Sequence, residues 1–247
     1  KELDATSSWE SAVETEAATD IYTNYIPTSS DSDDALSAKQ VTFAGYKWYI
    51  IEDNSVSTAE GTVTLLAADD SFGTSQYNEV SGNVIYKGSI VETLLNSYTE
   101  TGTLEDFQDV IKTVTLQDPN DAESTITAKL YLLSQSEAEA LPINVRKVSF
   151  EDEGQTIPGY WWLRTPGYVN SNNWQTCIKP NGEIEGGGQV TNSFGVRPAL
   201  QLDLSSVLFS SGTKTFYTEP AASVTVGDVT TNYGTFSEAL TAWADGS

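Results

Sequence analysis

Two carboxylates, one thiol and a run of amides between aromatic rings are the parts of this sequence that could do chemistry. Glu183 and Glu185 flank Ile184. On a strand, residues two apart share a face about 6.6 Å apart by backbone rise, and a carboxylate pair at such a distance invites glycoside hydrolysis. A general acid needs an apolar surround to raise its pKa. Gly182 and Gly186 bracket this pair instead, so a solvated hairpin is expected, with a carboxylate-based glycan hydrolase as a lesser alternative. Cys177 is the one cysteine and there is no histidine. Ser–His–Asp and Cys–His catalysis, disulfide exchange and Cys/His zinc sites are thereby excluded within the chain, and Cys177 reads as a small packed strand residue.

Between Tyr168 and Phe194 the chain interleaves rings with amides and hydroxyls: Tyr168, Asn170, Asn172, Asn173, Trp174, Gln175, Thr176, Asn181, Gln189, Thr191, Asn192 and Phe194. Rings supply contact area at low entropic cost and amides both donate and accept, the composition of an adaptable recognition surface. The same Asn, Ser and Gly content also makes ordinary turns. Arg164 and Arg197 stand out in a cation-poor chain; each lies beside apolar residues, so each is expected to be a structural tether buried with a carboxylate partner.

The chain has 247 residues, with 12 Lys+Arg against 35 Asp+Glu and a net charge of −23. That field repels nucleic-acid backbones and anionic membrane surfaces. No apolar run reaches the roughly 18–20 residues of a membrane helix. No signal-peptide pattern stands at Lys1–Ala5, and the chain reads as a mature or excised fragment. No cofactor or metal is expected. Composition suits an exported protein without disulfides, or an acidic cytosolic one.

The elements that must position these residues follow from periodicity and punctuation. Ser7 and Glu10 have capping-box spacing, and Trp9, Ala12, Val13, Ala17 and Ile21 predict a helix. Thr28–Asp34 predicts a solvated linker; its three aspartates lack the Gly and Glu of an EF-hand. Val41–Phe43, Tyr46–Ile51 and Thr62–Leu66 predict strands. Ser89 caps a helix carrying Leu94, Leu95 and Tyr98, and Leu104, Phe107, Val110 and Ile111 predict another. Lys129–Leu133 predicts a short strand, and Ser134 caps a helix that Pro142 stops. Tyr160–Arg164 and Val196–Leu204 predict strands that pair in one sheet and hold the stretch between them as a displayed tip. Trp48, Trp161 and Trp162 read as core, with Trp161 and Trp162 on opposite faces. Ser223–Asp228 predicts a strand entering a tight turn, and Phe236, Ala239, Leu240 and Trp243 a helix.

The strings Trp161-Trp162-Leu163-Arg164-Thr165-Pro166-Gly167 and Gly195-Val196-Arg197-Pro198-Ala199-Leu200 resemble a domain of unknown function common in surface proteins of gut Firmicutes, with a WWLRSPG…GVRPAL signature. The likeness runs from about residue 40 to 210; Thr165 replaces the usual Ser. It implies an α+β, C-type-lectin-like fold with mixed, mostly antiparallel sheets, two to three short helices and a long late loop region. That fold is related to formylglycine-generating enzymes and to retroelement variable proteins. The cysteine pair of the former is absent, so their chemistry is not implied. In the latter this late stretch is diversified, and Asn170, Asn172, Asn173, Asn181 and Asn192 are compatible with that. Sugar-binding C-type lectins hold calcium through a Glu-Pro-Asn-like triplet; Lys179-Pro180-Asn181 puts a cation in place of the acid, which disfavours calcium.

The chain is thus expected to comprise an N-terminal helix and acidic linker (1–37), a C-type-lectin-like domain (38–212) and the start of a further surface-protein module (213–247). It is expected at the cell surface or outside the cell, as a non-enzymatic, adhesin-like recognition domain. Its ligand would be an extracellular protein or glycan, its other partners further modules of the same polypeptide. A structural spacer is the alternative.

Overall fold

The computed structural model describes residues 9–11, 22–55, 61–80, 84–152, 155–157, 159–167, 173–218, 222–226 and 229–233, and positions 240 and 243. Along the chain come β1 (Trp9–Ser11), a 3-10 turn (Tyr22–Tyr25), α1 (Asp33–Lys39), β2 (Val41–Phe43), β3 (Tyr46–Asp53), β4 (Thr62–Ala67) and β5 (Thr74–Gln76). Then follow α2 (Ile90–Glu100), a 3-10 turn (Glu105–Phe107), β6 (Val114–Gln117), β7 (Thr125–Ala128), α3 (Gln135–Ala140) and α4 (Ile143–Arg146). The rest is β: β8 (Phe150–Asp152), β9 (Gln155–Ile157), β10 (Trp161–Pro166), β11 (Trp174–Ile178), β12 (Ile184–Gln189), β13 (Ser193–Gly195) and β14 (Ala199–Asp203). Last come β15 (Leu208–Ser210), β16 (Thr215–Tyr217), β17 (Ala222–Val226) and β18 (Val229–Tyr233).

The fold is α+β with mostly antiparallel sheets and, among the described residues, four α-helices. A seven-stranded sheet runs β1-β15-β16-β2-β3-β4-β14 and a five-stranded sheet β12-β11-β10-β13-β5. Among the described residues, only the β2–β16 and β10–β13 pairings of these two sheets are parallel. The large sheet takes in β1 and β16, so it runs across both boundaries expected at 37/38 and 212/213.

Alternation along the strands builds two apolar clusters. Trp48, Ile50, Leu65 and Trp162 enter one with Val91 and Leu95 of α2; Tyr49, Leu66, Trp161 and Leu163 enter the other with Leu36, Ala138 and Val145 of α1, α3 and α4. Every residue of β4 is buried, as a central strand covered on both faces requires. Trp161 and Trp162 do fall on opposite faces. The helix caps form as their sequence predicts: Ser89 Oγ accepts from Glu92 N, and Ser134 and Glu137 close a full capping box.

Four expectations are corrected. Residues 9–11 form a strand on β15, because edge pairing outweighs a three-residue share of helical spacing; the remainder of that expected helix lies outside the described residues. The expected linker is a turn and helix: Asp31 pairs with Lys39 at 2.8 Å, Ser32 caps α1 and Leu36 is buried. The expected helix at 104–111 is one 3-10 turn, since 110–112 instead satisfy the edge of β14 through Lys112 N to Gln201 O and Asp203 N to Val110 O. The expected strand 129–133 is a single bridge at Tyr131, after which Leu132 O and Leu133 O turn to Arg164.

The largest correction concerns the signature itself. β10 lies in the five-stranded sheet and β14 in the seven-stranded one. The Val196-Arg197-Pro198 link, wholly buried, carries the chain from β13 across to β14. In the C-terminal part, β17 and β18 form a hairpin, and Leu240 and Trp243 are helical and exposed; the rest of the expected helix lies outside the described residues.

Candidate functional site

The roots of the late region are charged, buried and structural. Arg164 is forked onto Glu137 at 2.5 and 2.9 Å and also donates to Leu132 O at 2.8 Å. Burial works to raise the Glu137 carboxyl, but the Arg164 guanidinium and the Ser134 backbone hold it below its ordinary value. The expected carboxylate partner is therefore present at Arg164. It is not present at Arg197, where two backbone carbonyls take its place. Arg197 is fully buried, donates to Ala67 O at 2.9 Å and Val145 O at 3.0 Å, and lies 4.7 Å over the Trp161 ring. Burial lowers its pKa to about 10, which leaves it charged at neutral pH. Trp161 Nε1 donates to Arg146 O at 2.9 Å, completing a junction of both sheets with α4. The two signature strings thus encode the joint between sheets.

Above this joint the structure sorts the twelve expected contact residues into groups. Tyr168, Asn170 and Asn172 lie outside the described residues. Gln175 and Thr176 are corrected: both are buried and serve the fold. Gln175 Nε2 donates to Leu163 O at 2.8 Å and Thr165 O at 2.7 Å, and Thr176 Oγ1 donates to Pro166 O at 2.9 Å. Phe194 is half-buried, stacked at 4.4 Å on Trp162 and 5.0 Å on Tyr160. Gly188 makes room for that stack, since a Cβ there would sit 2.6 Å from Trp162. Asn181 is exposed but sits in the β11–β12 turn, where its Oδ1 accepts from Glu183 N at 3.1 Å.

The remaining five come together at the opposite end of that hairpin. Trp174 pairs with Gln189 across β11 and β12, and Val190 N donates to Asn173 O at 3.2 Å. Asn192 N returns to Gln189 O at 2.9 Å, closing a turn that carries Thr191. Asn173, Gln189 and Asn192 are exposed, Trp174 and Thr191 half-buried.

Three further residues join this end that the sequence did not single out. Gln76 Nε2 donates to Thr191 O at 2.8 Å, and Tyr77 N and Asn78 N both donate to Val190 O. The loop after Asn78 therefore starts beside the same turn. Asn78 Nδ2 ties it at Ile85 O, and Asn120 buttresses it at Val84 O and Tyr86 N. On it Val80 is 67% and Ile85 50% exposed. The one local signal was three apolar residues, Val80, Val84 and Ile85, around Ser81-Gly82-Asn83 without a periodic partner.

The carboxylate pair is held by a lysine. Lys179 lies 2.8 Å from Glu185 and 3.5 Å from Glu183, and Asn181 and Lys179 hold the Glu183 carboxyl below its ordinary value. Cys177 is buried, and burial pushes its thiol up to about 12, away from the thiolate form a nucleophile needs. Among the described residues no helix is long and apolar enough to cross a membrane, and no cluster of three or more His, Cys, Asp or Glu stands ready for a metal ion.

No curated protein and no solved structure matches the chain. Residues 61–204, from β4 to the end of β14 and including both signature strings, match the family model described as Domain of unknown function (DUF6273), and the chain belongs to that family.

Proposed function

We propose that this chain is a non-enzymatic, C-type-lectin-like recognition domain of a Firmicutes surface protein, exported to the cell surface. Its contact face is the end of the five-stranded sheet bearing Asn173, Trp174, Gln189, Thr191 and Asn192, extended by Gln76, Val80 and Ile85. One observation carries this reading: exposed Asn173, Gln189 and Asn192 and half-buried Trp174 stand together at one hairpin end, beside the loop that exposes Val80 and Ile85 and above Gln175 and Thr176, whose donors turn inward. A rigid base under adaptable contacts lowers the ordering cost of binding. The anchors fit an extracellular protein or glycan, with apolar Val80 and Ile85 as centre and the amides as rim. The net charge of −23 speaks against nucleic acid. Further modules of the same polypeptide are the other proposed partners.

If retroelement diversification operates, it acts on Asn170, Asn172, Asn173 and Asn192; Asn181 serves its own turn. A neighbouring reverse transcriptase and near-identical template repeat at the locus would support diversification, and their absence would remove it. The functional test uses a printed panel of extracellular-matrix proteins and glycans. Trp174→Ala with Gln189→Ala, or Val80→Asp, is expected to abolish protein-array binding while the thermal midpoint stays. Unchanged binding by both variants would favour a spacer whose loops bind nothing.

A further inference from the structure

The turn between β11 and β12 carries the sequence's one Asn-Gly step, Asn181-Gly182. In an unfolded chain such a step is open to imide formation, because glycine has no side chain to hinder attack by its own backbone nitrogen. The Gly182 nitrogen gives up its proton to water and attacks Asn181 Cγ. The new N–C bond closes a five-membered ring as the Cγ–Nδ2 bond breaks, and Nδ2 takes up a proton and leaves as ammonia. Water then opens the ring at either carbonyl, to aspartate or to isoaspartate, with no change of oxidation state.

In the folded chain the same atoms are engaged elsewhere. Gly182 N donates to Lys179 O at 2.8 Å and Lys179 N donates to Glu183 O at 2.8 Å, so Pro180-Asn181-Gly182 forms a three-residue hairpin loop. Gly182 takes the left-handed conformation that such a loop requires, at φ +84°. Asn181 Oδ1 accepts from Glu183 N at 3.1 Å, which holds the carboxamide toward Glu183. Bringing Gly182 N onto Cγ means rotating the Asn181–Gly182 peptide, and that breaks the bond to Lys179 O. Gly182 is also buried against α4: a Cβ on it would lie 2.7 Å from Ile143 O and 3.3 Å from the Lys147 side chain. Asn181 itself is exposed, so conformation and not access of water limits the step.

From these contacts we infer that Asn181 is a conformationally gated deamidation site, closed while the turn is seated on α4 and opened by local unfolding. The mark is one-way. The isoaspartate product carries an extra backbone atom inside the loop and shifts the register of the two Lys179 bonds. Either product adds a carboxylate beside Glu183 and Glu185 in a chain of net charge −23. The turn lies outside the proposed contact face, so the two readings fail or hold independently. The test is peptide mapping by mass spectrometry of the intact chain, held in mildly alkaline buffer with and without denaturing urea. Conversion at Asn181 is expected to be at least about tenfold slower in the native chain than in urea. Pro180→Ala, which frees the first loop position, should speed native conversion about two- to fivefold and leave the rate in urea unchanged. Equal rates with and without urea in the wild type, or a native rate in Pro180→Ala no faster than that of the wild type, would each overturn the inference.

Discussion

The two ends of the β11–β12 hairpin are built from the same residue types and have opposite fates. At one end Asn173, Trp174 and Gln189 face outward, with the Val190–Asn192 turn and the Val80–Ile85 loop beside them. At the other, Asn181, Gly182 and the Lys179–Glu185 pair close a turn pressed against α4. An added Cβ on Gly182 would sit 2.7 Å from Ile143 O, and its φ is +84°. Asn and Gly can decorate a displayed surface or a packed corner, and the distant segment that arrives decides which. The proposed contact face is the first end.

Substitutions can break this contrast. The largest effect belongs to the base beneath the displayed end. Gln175→Ala strands the buried Leu163 O, removes a donor from the half-buried Thr165 O and opens a void, for an expected loss of about 3 kcal/mol in urea unfolding. At the packed turn, Gly182→Ala meets both an unfavourable φ and the Ile143 carbonyl, for about 2 kcal/mol. A loss no larger than that of Gly45→Ala, whose added Cβ has open space at a similar φ, would show that α4 does not press on the turn.

Acid titration sharpens the comparison further. The Glu137 carboxyl is held below its ordinary 4.5 in the folded chain. Its contribution is therefore present above the unfolded carboxylate pKa and lost as pH falls through the folded value. Glu137→Gln should flatten the fall of stability below pH about 4.5; an acid limb as steep as that of the wild type would deny the pair its role. The smallest effect is expected at the displayed end, where Asn173→Ala and Gln189→Ala should each change stability by no more than about 0.5 kcal/mol.

Local signals were legible wherever local forces decide. Ser89 and Ser134 announced their helices because a cap is satisfied within three residues, and β3 and β4 announced themselves as β-branched and aromatic runs bounded by turn residues. What could not be read was long-range competition for backbone groups. Residues 110–112 have helical spacing, yet β14 needed an edge partner. Arg197 promised a carboxylate, but its position at the meeting of β4, α4 and Trp161 supplied carbonyls and a ring face instead. Gln175 looked like part of a polar loop, while a register shift between Gln175 and Cys177 turned it inward. Of the candidate site, the aromatic and amide composition was visible in advance. Its division between two hairpin ends, and the addition of Val80 and Ile85 from some ninety residues earlier, came only with the pairing of Val190 to Tyr77 and Asn78.

The most direct test is a matched pair of variants on the printed protein and glycan panel: Trp174→Ala with Gln189→Ala at one hairpin end, Lys179→Ala with Asn181→Ala at the other. Loss of protein-array binding by the first pair alone, with both pairs folded, is the expected result. Equal binding by the two pairs, whether kept or lost, would contradict the assignment of recognition to one end.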